Sequence, residues 1–76
     1  MSLLNMSHQE RGDIIFNFIY LIGYGATATA ERFAQVIEEN NASPQAKALI
    51  EYLRGCEGTV SLSTYGTLTI DLVIKA

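Results

Sequence analysis

The chain has 76 residues and a mass of 8.3 kDa, which suffices for one small domain and excludes two independent cores. Hydrophobic residues make up 49% of it and charged residues 17%, so the chain is not a disordered charged tail. Its net charge of −3, without any cluster of Lys or Arg, argues against nucleic acid and against an anionic membrane surface as partners. We therefore predict a single small domain over residues 1–76.

The first element, residues 8–22, can be interpreted in two ways. Ser7 and Glu10 have the spacing of a helix capping box, and Gly23 or Gly25 supplies a stop, so we predict a helix. The segment is also rich in β-branched and aromatic residues. The alternative is therefore a strand over residues 13–22, which would give a β-α-α-β-β order.

In either interpretation this first element is apolar almost all round, and one layer of neighbours cannot cover every side of it in so small a domain. We therefore predict a homo-oligomer with dimer contacts through Ile14, Phe16, Phe18 and Leu21. Asn17 interrupts the apolar run. It is expected to be a satisfied buried polar group, with a register-fixing contact across a symmetric interface as the alternative.

Two helices are predicted in the middle of the chain. Thr27 or Thr29 can cap the first, and Asn40-Asn41 ends it. Ser43-Pro44 is typical of an N-cap followed by proline at the first helical position, which starts a second helix over residues 44–54. Gly55 is expected to end that helix in a left-handed conformation.

The C-terminal segment has the period of a β-hairpin. Apolar residues occupy even-numbered positions and polar residues lie between them, which predicts strands with one solvent-exposed face. A three-residue loop, Thr64-Tyr65-Gly66, opposes Leu62 to Leu68 and Val60 to Ile70 and keeps the apolar side chains on one face. The second strand is expected to run on through residues 72–74, beyond the apolar part of the first.

The order helix, helix, turn, helix, hairpin resembles the winged helix-turn-helix family from about Glu10 to Ile74. The stretches that carry the resemblance are ERGDIIFNFIYLIG, TATAERFAQVI, SPQAKALIEYLRG and TVSLSTYGTLTI. It implies an α+β fold of three helices followed by a C-terminal hairpin, and a DNA-binding transcriptional regulator. However, the third helix offers few cations and the wing tip offers none. Winged helices also serve as protein-interaction modules, which fits an acidic surface better.

Little in the sequence indicates catalysis or a cofactor. Gly23–Ala28 matches the fingerprint G-x-G-x-x-A, so a small-ligand or nucleotide-binding protein is a second alternative, although a dinucleotide domain needs more strands than this chain allows. His8 is the only histidine and Cys56 the only thiol, too few for a metal site within one chain. The carboxylates lie on polar faces, caps or loops, so we predict no enzyme, no metal and no cofactor.

These observations predict a small, non-enzymatic, cytoplasmic module that docks on a protein partner as a dimeric regulator or inhibitor. The cytoplasmic assignment follows from the single cysteine and from an N-terminus without a secretory pattern. The docking surface is predicted on the third helix and the hairpin, through Gln45, Lys47, Glu51, Tyr52 and Tyr65.

Overall fold

The computed structural model describes residues 6–40 and 44–75, apart from the side chain of Gln45. The described part contains three helices and a three-stranded antiparallel sheet. In chain order the elements are α1 (His8–Leu21), β1 (Ala26–Thr29), α2 (Ala30–Asn40), α3 (Pro44–Arg54), β2 (Cys56–Leu62) and β3 (Leu68–Ile74). The α+β class, the three helices and the C-terminal hairpin are confirmed, but a strand that we did not predict lies between α1 and α2.

The first element is a helix, so the strand alternative for residues 13–22 is wrong. The backbone N–H of Glu10 donates to Ser7 Oγ at 3.1 Å, and the Ser7 hydroxyl donates to a Glu10 carboxylate oxygen at 3.0 Å. At the other end the N–H of Gly23 donates to the Phe18 carbonyl at 2.9 Å, with Gly23 at a φ of 100°. Hydrogen bonds at both ends of α1 therefore outweigh the β-propensity of its apolar residues.

The unpredicted strand β1 is short and consists of alternating alanine and threonine. Its Ala28 pairs with Val60 of β2 and is buried, while its threonines are exposed. Thr29 ends the strand and at once caps α2, because its hydroxyl accepts from the N–H of Arg32 at 3.1 Å. One of the two predicted caps is therefore confirmed, and no linker separates β1 from α2.

The hairpin has the predicted register. Leu62 pairs with Leu68 and Val60 with Ile70. The loop closes through the N–H of Gly66, which donates to the Ser63 carbonyl at 3.0 Å, and Gly66 has the positive φ of 88° that the predicted turn requires. The alternation of apolar and polar residues was therefore sufficient to set the strand pairing.

Two details around the first hairpin strand differ from the prediction. Cys56 pairs with Ile74, so β2 is as long as β3 and no part of β3 overhangs it. The sequence pattern did not predict the full length of β2, because Glu57 and Gly58 interrupt the apolar alternation before Val60. Gly55 is not left-handed, since its N–H donates to the carbonyls at the end of α3 and the chain enters β2 directly.

The core lies between the helices and the even-numbered face of the sheet. Phe18 of α1 packs edge-on against Phe33 of α2, with ring centroids 5.3 Å apart. The largest fully buried side chains are Phe18, Phe33, Ile14, Ile37, Leu53, Leu62 and Val60. Ile14 and Phe18 are thus enclosed within one copy. The predicted dimer contacts cannot include these two side chains, because neither of them has any exposed surface in one copy.

The same substitution at two glycines is expected to change stability in opposite directions. Gly12 lies inside α1, and a Cβ there would meet nothing within 4 Å, so Gly12→Ala should raise the free energy of unfolding by about 0.5–1 kcal/mol. Gly58 has a φ of 121°, and a Cβ there would overlap the carbonyl oxygen of Asp71. Gly58→Ala should therefore lower it by about 3 kcal/mol. Urea unfolding of both variants measures this, and a loss of stability in Gly12→Ala would contradict the open space around that residue.

Candidate interaction surface

Four aromatic side chains are exposed on α1, on the loop that follows it and on the hairpin loop. They are Phe16, Tyr20, Tyr24 and Tyr65, with exposed fractions of 68%, 77%, 57% and 95%. We call this group the aromatic surface. Phe16 and Tyr20 lie one turn apart on the outward side of α1, and their rings stack in parallel at 6.3 Å. A pair of large aromatic side chains left in water side by side is typical of docking sites for proteins.

The loop that follows α1 brings Tyr24 against the hairpin loop. A Cβ on Gly66 would lie 3.7 Å from Cε1 of Tyr24, so the tyrosine ring sits beside the turn. Gly25, at a φ of 78°, donates its N–H to the Leu62 carbonyl at 2.6 Å. A side chain at that position would press on the Thr64 methyl group, at 3.0 Å. The α1–β1 loop and the hairpin loop therefore form one end of the molecule.

The structure separates the four residues predicted for dimer contacts. Phe16 is exposed and Leu21 is half-buried, while the other two are in the core. Sequence reasoning missed Tyr20 and Tyr24 as members of an exposed group. The signal for Tyr20 was present, because it follows Phe16 by four residues and so shares its side of a helix.

The residues predicted for partner docking differ in their surroundings. Lys47 and Glu51 are exposed on α3, and Tyr65 is at the tip of the hairpin, whereas Tyr52 is half-buried. The side chain of Gln45 lies outside the described part of the chain. Only Tyr65 among the described members of this set also belongs to the aromatic surface.

Tyr52 of α3 and Cys56 at the start of β2 make a partly buried contact. The thiol of Cys56 donates to the backbone carbonyl of Tyr52 at 3.2 Å. The phenol oxygen of Tyr52 is buried and has no hydrogen-bond partner within residues 6–40 and 44–75. Burial raises the pKa of Tyr52, and the nearby Glu10 carboxylate raises it further. Burial also raises the pKa of Cys56 against a smaller opposing effect of Lys75, so the thiol stays protonated and is a poor nucleophile at neutral pH.

Asn17 makes its hydrogen bond within its own helix. Its side-chain amide donates to the carbonyl of Asp13 at 2.8 Å, and the residue is half-buried. The side chain is therefore satisfied as expected, but it is not buried as the prediction had it. Its contact requires no second subunit.

The structure also shows the surroundings of the residues named for the DNA-binding and the nucleotide-binding alternatives. Arg54, one of the few cations on α3, forms an ion pair with Glu38 of α2 at 3.2 Å. The Gly23–Ala28 segment connects a helix to a strand, whereas the phosphate-binding fingerprint needs a strand followed by a helix. Its glycines instead permit the turn and the contact with the hairpin loop.

The described residues show neither a group of metal ligands nor a membrane span, and comparison with known proteins found no match. In the described residues, no three His, Cys, Asp or Glu side chains converge as metal ligands would. None of the helices described here has both the length and the apolar composition needed to cross a bilayer. No protein-family model matches the chain, and no match was found among curated proteins or solved structures.

Removal of the unpartnered phenol oxygen should stabilise the protein. Tyr52→Phe keeps the ring and deletes a buried polar atom without a partner, so the free energy of unfolding should rise by about 1 kcal/mol. Chemical denaturation at pH 7 measures this. Tyr65→Phe is the control and should change nothing, because that ring is 95% exposed. A destabilised Tyr52→Phe variant would mean that the hydroxyl has a partner.

The raised pKa values of Tyr52 and Cys56 predict loss of stability at alkaline pH. The unfolded chain releases these protons at the ordinary values of 10.0 and 9.0, before the folded chain does. Their contribution is therefore fully present below pH 9 and is lost as the pH rises further. Urea midpoints measured between pH 7 and 11 should fall less in Tyr52→Phe/Cys56→Ala than in the wild type. An equal fall in both proteins would exclude these two groups as the cause.

Proposed function

We propose that this protein is a small non-enzymatic interaction module, a regulator or inhibitor that docks on a protein partner through the aromatic surface. The observation that carries the proposal is the stacked Phe16–Tyr20 pair, held in water on a rigid helix. Large aromatic rings with few rotatable bonds lose little conformational entropy on binding and supply much buried area. A cytoplasmic location and the winged-helix resemblance are parts of the same proposal.

Gly12 supports a partner at this side of α1. It precedes Phe16 by four residues, so the two share one side of the helix. Nothing in the described chain occupies the space beside it, and glycine inside a helix costs about 1 kcal/mol relative to alanine. The packing of the described residues therefore gives no reason for a glycine there. A notch next to an exposed ring would let the backbone or a side chain of a partner approach closely.

The charge of the chain indicates the kind of partner. A net charge of −3 favours encounters with a basic protein and disfavours those with nucleic acid. The Arg54–Glu38 pair reduces the cationic character of α3 further. We therefore propose a partner with an apolar groove for the rings and a basic surround.

Variant-dependent capture tests this function. The full chain is immobilised and incubated with lysate of the cells that make it, and the captured protein is then purified and titrated directly. Phe16→Ser/Tyr20→Ser should weaken that binding at least about 100-fold, since each lost anchor costs about 2 kcal/mol. Glu31→Ser/Gln35→Ser, with the same spacing on the exposed side of α2, is the matched control and should bind as the wild type does.

Three outcomes would contradict the proposal. One is unchanged binding by the aromatic variant while circular dichroism shows that it is folded. Another is loss of binding in Lys47→Ser/Glu51→Ser instead, which would move the site to α3. The third is tight, salt-sensitive binding of a DNA duplex that depends on Lys47 and Arg54, which would favour the DNA-binding alternative.

A further inference from the structure

Strand β3 forms a long open edge of the sheet. The strand order is β1-β2-β3, so β3 has a neighbour on one side only among the described residues. It has seven residues, Leu68–Ile74, without proline, whereas the opposite edge strand β1 has four. A long, regular edge strand is a template for pairing with another chain. No member of the aromatic surface lies on β3.

The hydrogen bonds at the two ends of the hairpin show which backbone groups of β3 face outward. The N–H of Lys75 donates to the Gly55 carbonyl, and the N–H of Ser63 donates to the Thr67 carbonyl. The odd-numbered residues of β3 are thus the ones bonded to β2. Because the bonding side alternates along an antiparallel strand, Ile70, Leu72 and Ile74 direct their N–H and C=O groups to the open edge.

One end of this edge is already covered. The guanidinium of Arg11 donates to the Leu68 carbonyl at 3.4 Å, which agrees with an outward direction for the even-numbered residues. The open part therefore begins at Ile70 and continues to the end of the strand. Ile74, 48% exposed, lies in this part and leaves apolar surface in water.

The charges of β3 favour one register for antiparallel pairing between the β3 strands of two copies. A two-fold axis at Asp71 would oppose two aspartates, which is destabilising, and an axis at Leu72 would oppose Asp71 to Val73. An axis at Val73 opposes Asp71 of each copy to Lys75 of the other, and it opposes Leu72 to Ile74. This register forms two ion pairs and covers the exposed isoleucine with an apolar neighbour.

We propose that two copies of the chain pair antiparallel through β3, with the two-fold axis at Val73, so that the sheets join into one of six strands. The backbone groups of Leu72 and Ile74 in both copies form the central hydrogen bonds. Asp71 and Lys75 sit on the solvent side in a non-hydrogen-bonded pair, where side chains approach most closely. The occupant of the edge is a second copy, because the strand is complementary to itself in charge.

Charge reversal tests the interface by sedimentation equilibrium. The wild type should change from 8.3 kDa to twice that mass with a midpoint of about 10–100 µM, as expected for a small interface. Asp71→Lys and Lys75→Asp should each weaken dimerisation at least about tenfold, and the double variant Asp71→Lys/Lys75→Asp should restore it. Phe16→Ser/Tyr20→Ser should dimerise normally, which separates this proposal from the proposed function.

The backbone requirement has its own test. Ile74→Pro removes an N–H that faces the open edge and leaves the β2 ladder intact, so it should abolish dimerisation. Ile74→Ala is the matched control, because it shortens the same side chain but keeps the N–H, and it should weaken dimerisation only partly.

Cysteine cross-linking tests the register. In a Cys56→Ala background, Val73→Cys should form a disulfide-linked dimer under mild oxidation, since the two residues face each other at the axis. Thr69→Cys, on the same face, would lie about 26 Å from its counterpart and should not cross-link. The proposal is overturned if the wild type is still a monomer at about 500 µM. It is also overturned if Ile74→Pro still dimerises, or if Thr69→Cys cross-links as efficiently as Val73→Cys. A monomer that instead binds an extended peptide at this edge would equally exclude a second copy.

Discussion

The edge-on contact between Phe18 and Phe33 determines how α1 sits on the rest of the molecule. Both rings are fully buried, and they join the first helix to the helix that packs on β2. With Phe18 turned inward, Phe16 and Tyr20 must turn outward, because residues two apart lie on opposite sides of a helix. The exposed aromatic pair is therefore a geometric consequence of the same contact that closes the core.

Features encoded locally in the sequence could be predicted. The hydrogen bonds of Ser7 with Glu10 fix the start of α1, and the period-two pattern fixes the hairpin register. Strand β1 escaped prediction because alanine and threonine give a weak strand signal, and β1 is stabilised by its pairing with β2, which is distant in sequence. The conformation of Gly55 was mispredicted for a related reason, since the start of β2 decides how the chain leaves α3.

The candidate surface was predicted less well than the fold. A segment that is apolar on every side has more apolar surface than one neighbour can cover. The sequence does not show which of those sides the domain itself encloses. Ile14 and Phe18 turn into the core, which leaves Phe16 exposed and Leu21 half-buried. Tyr52 likewise carried no sequence signal for burial, because its surroundings include Glu10 of α1 and Cys56 of β2, which lie on other elements.

The direct junction of β1 and α2 has a consequence for how this chain can vary in length. Thr29 is the last residue of the strand and also the cap of the helix. The pairing register of β1 therefore fixes the rotation of α2 about its own axis. A single residue inserted after Thr29 would turn every side chain of α2 by about 100°. Phe33 would then leave Phe18, and Arg32 would face the first helix in its place. An insertion at this junction would therefore disrupt the core, even if the new residue itself suits a turn.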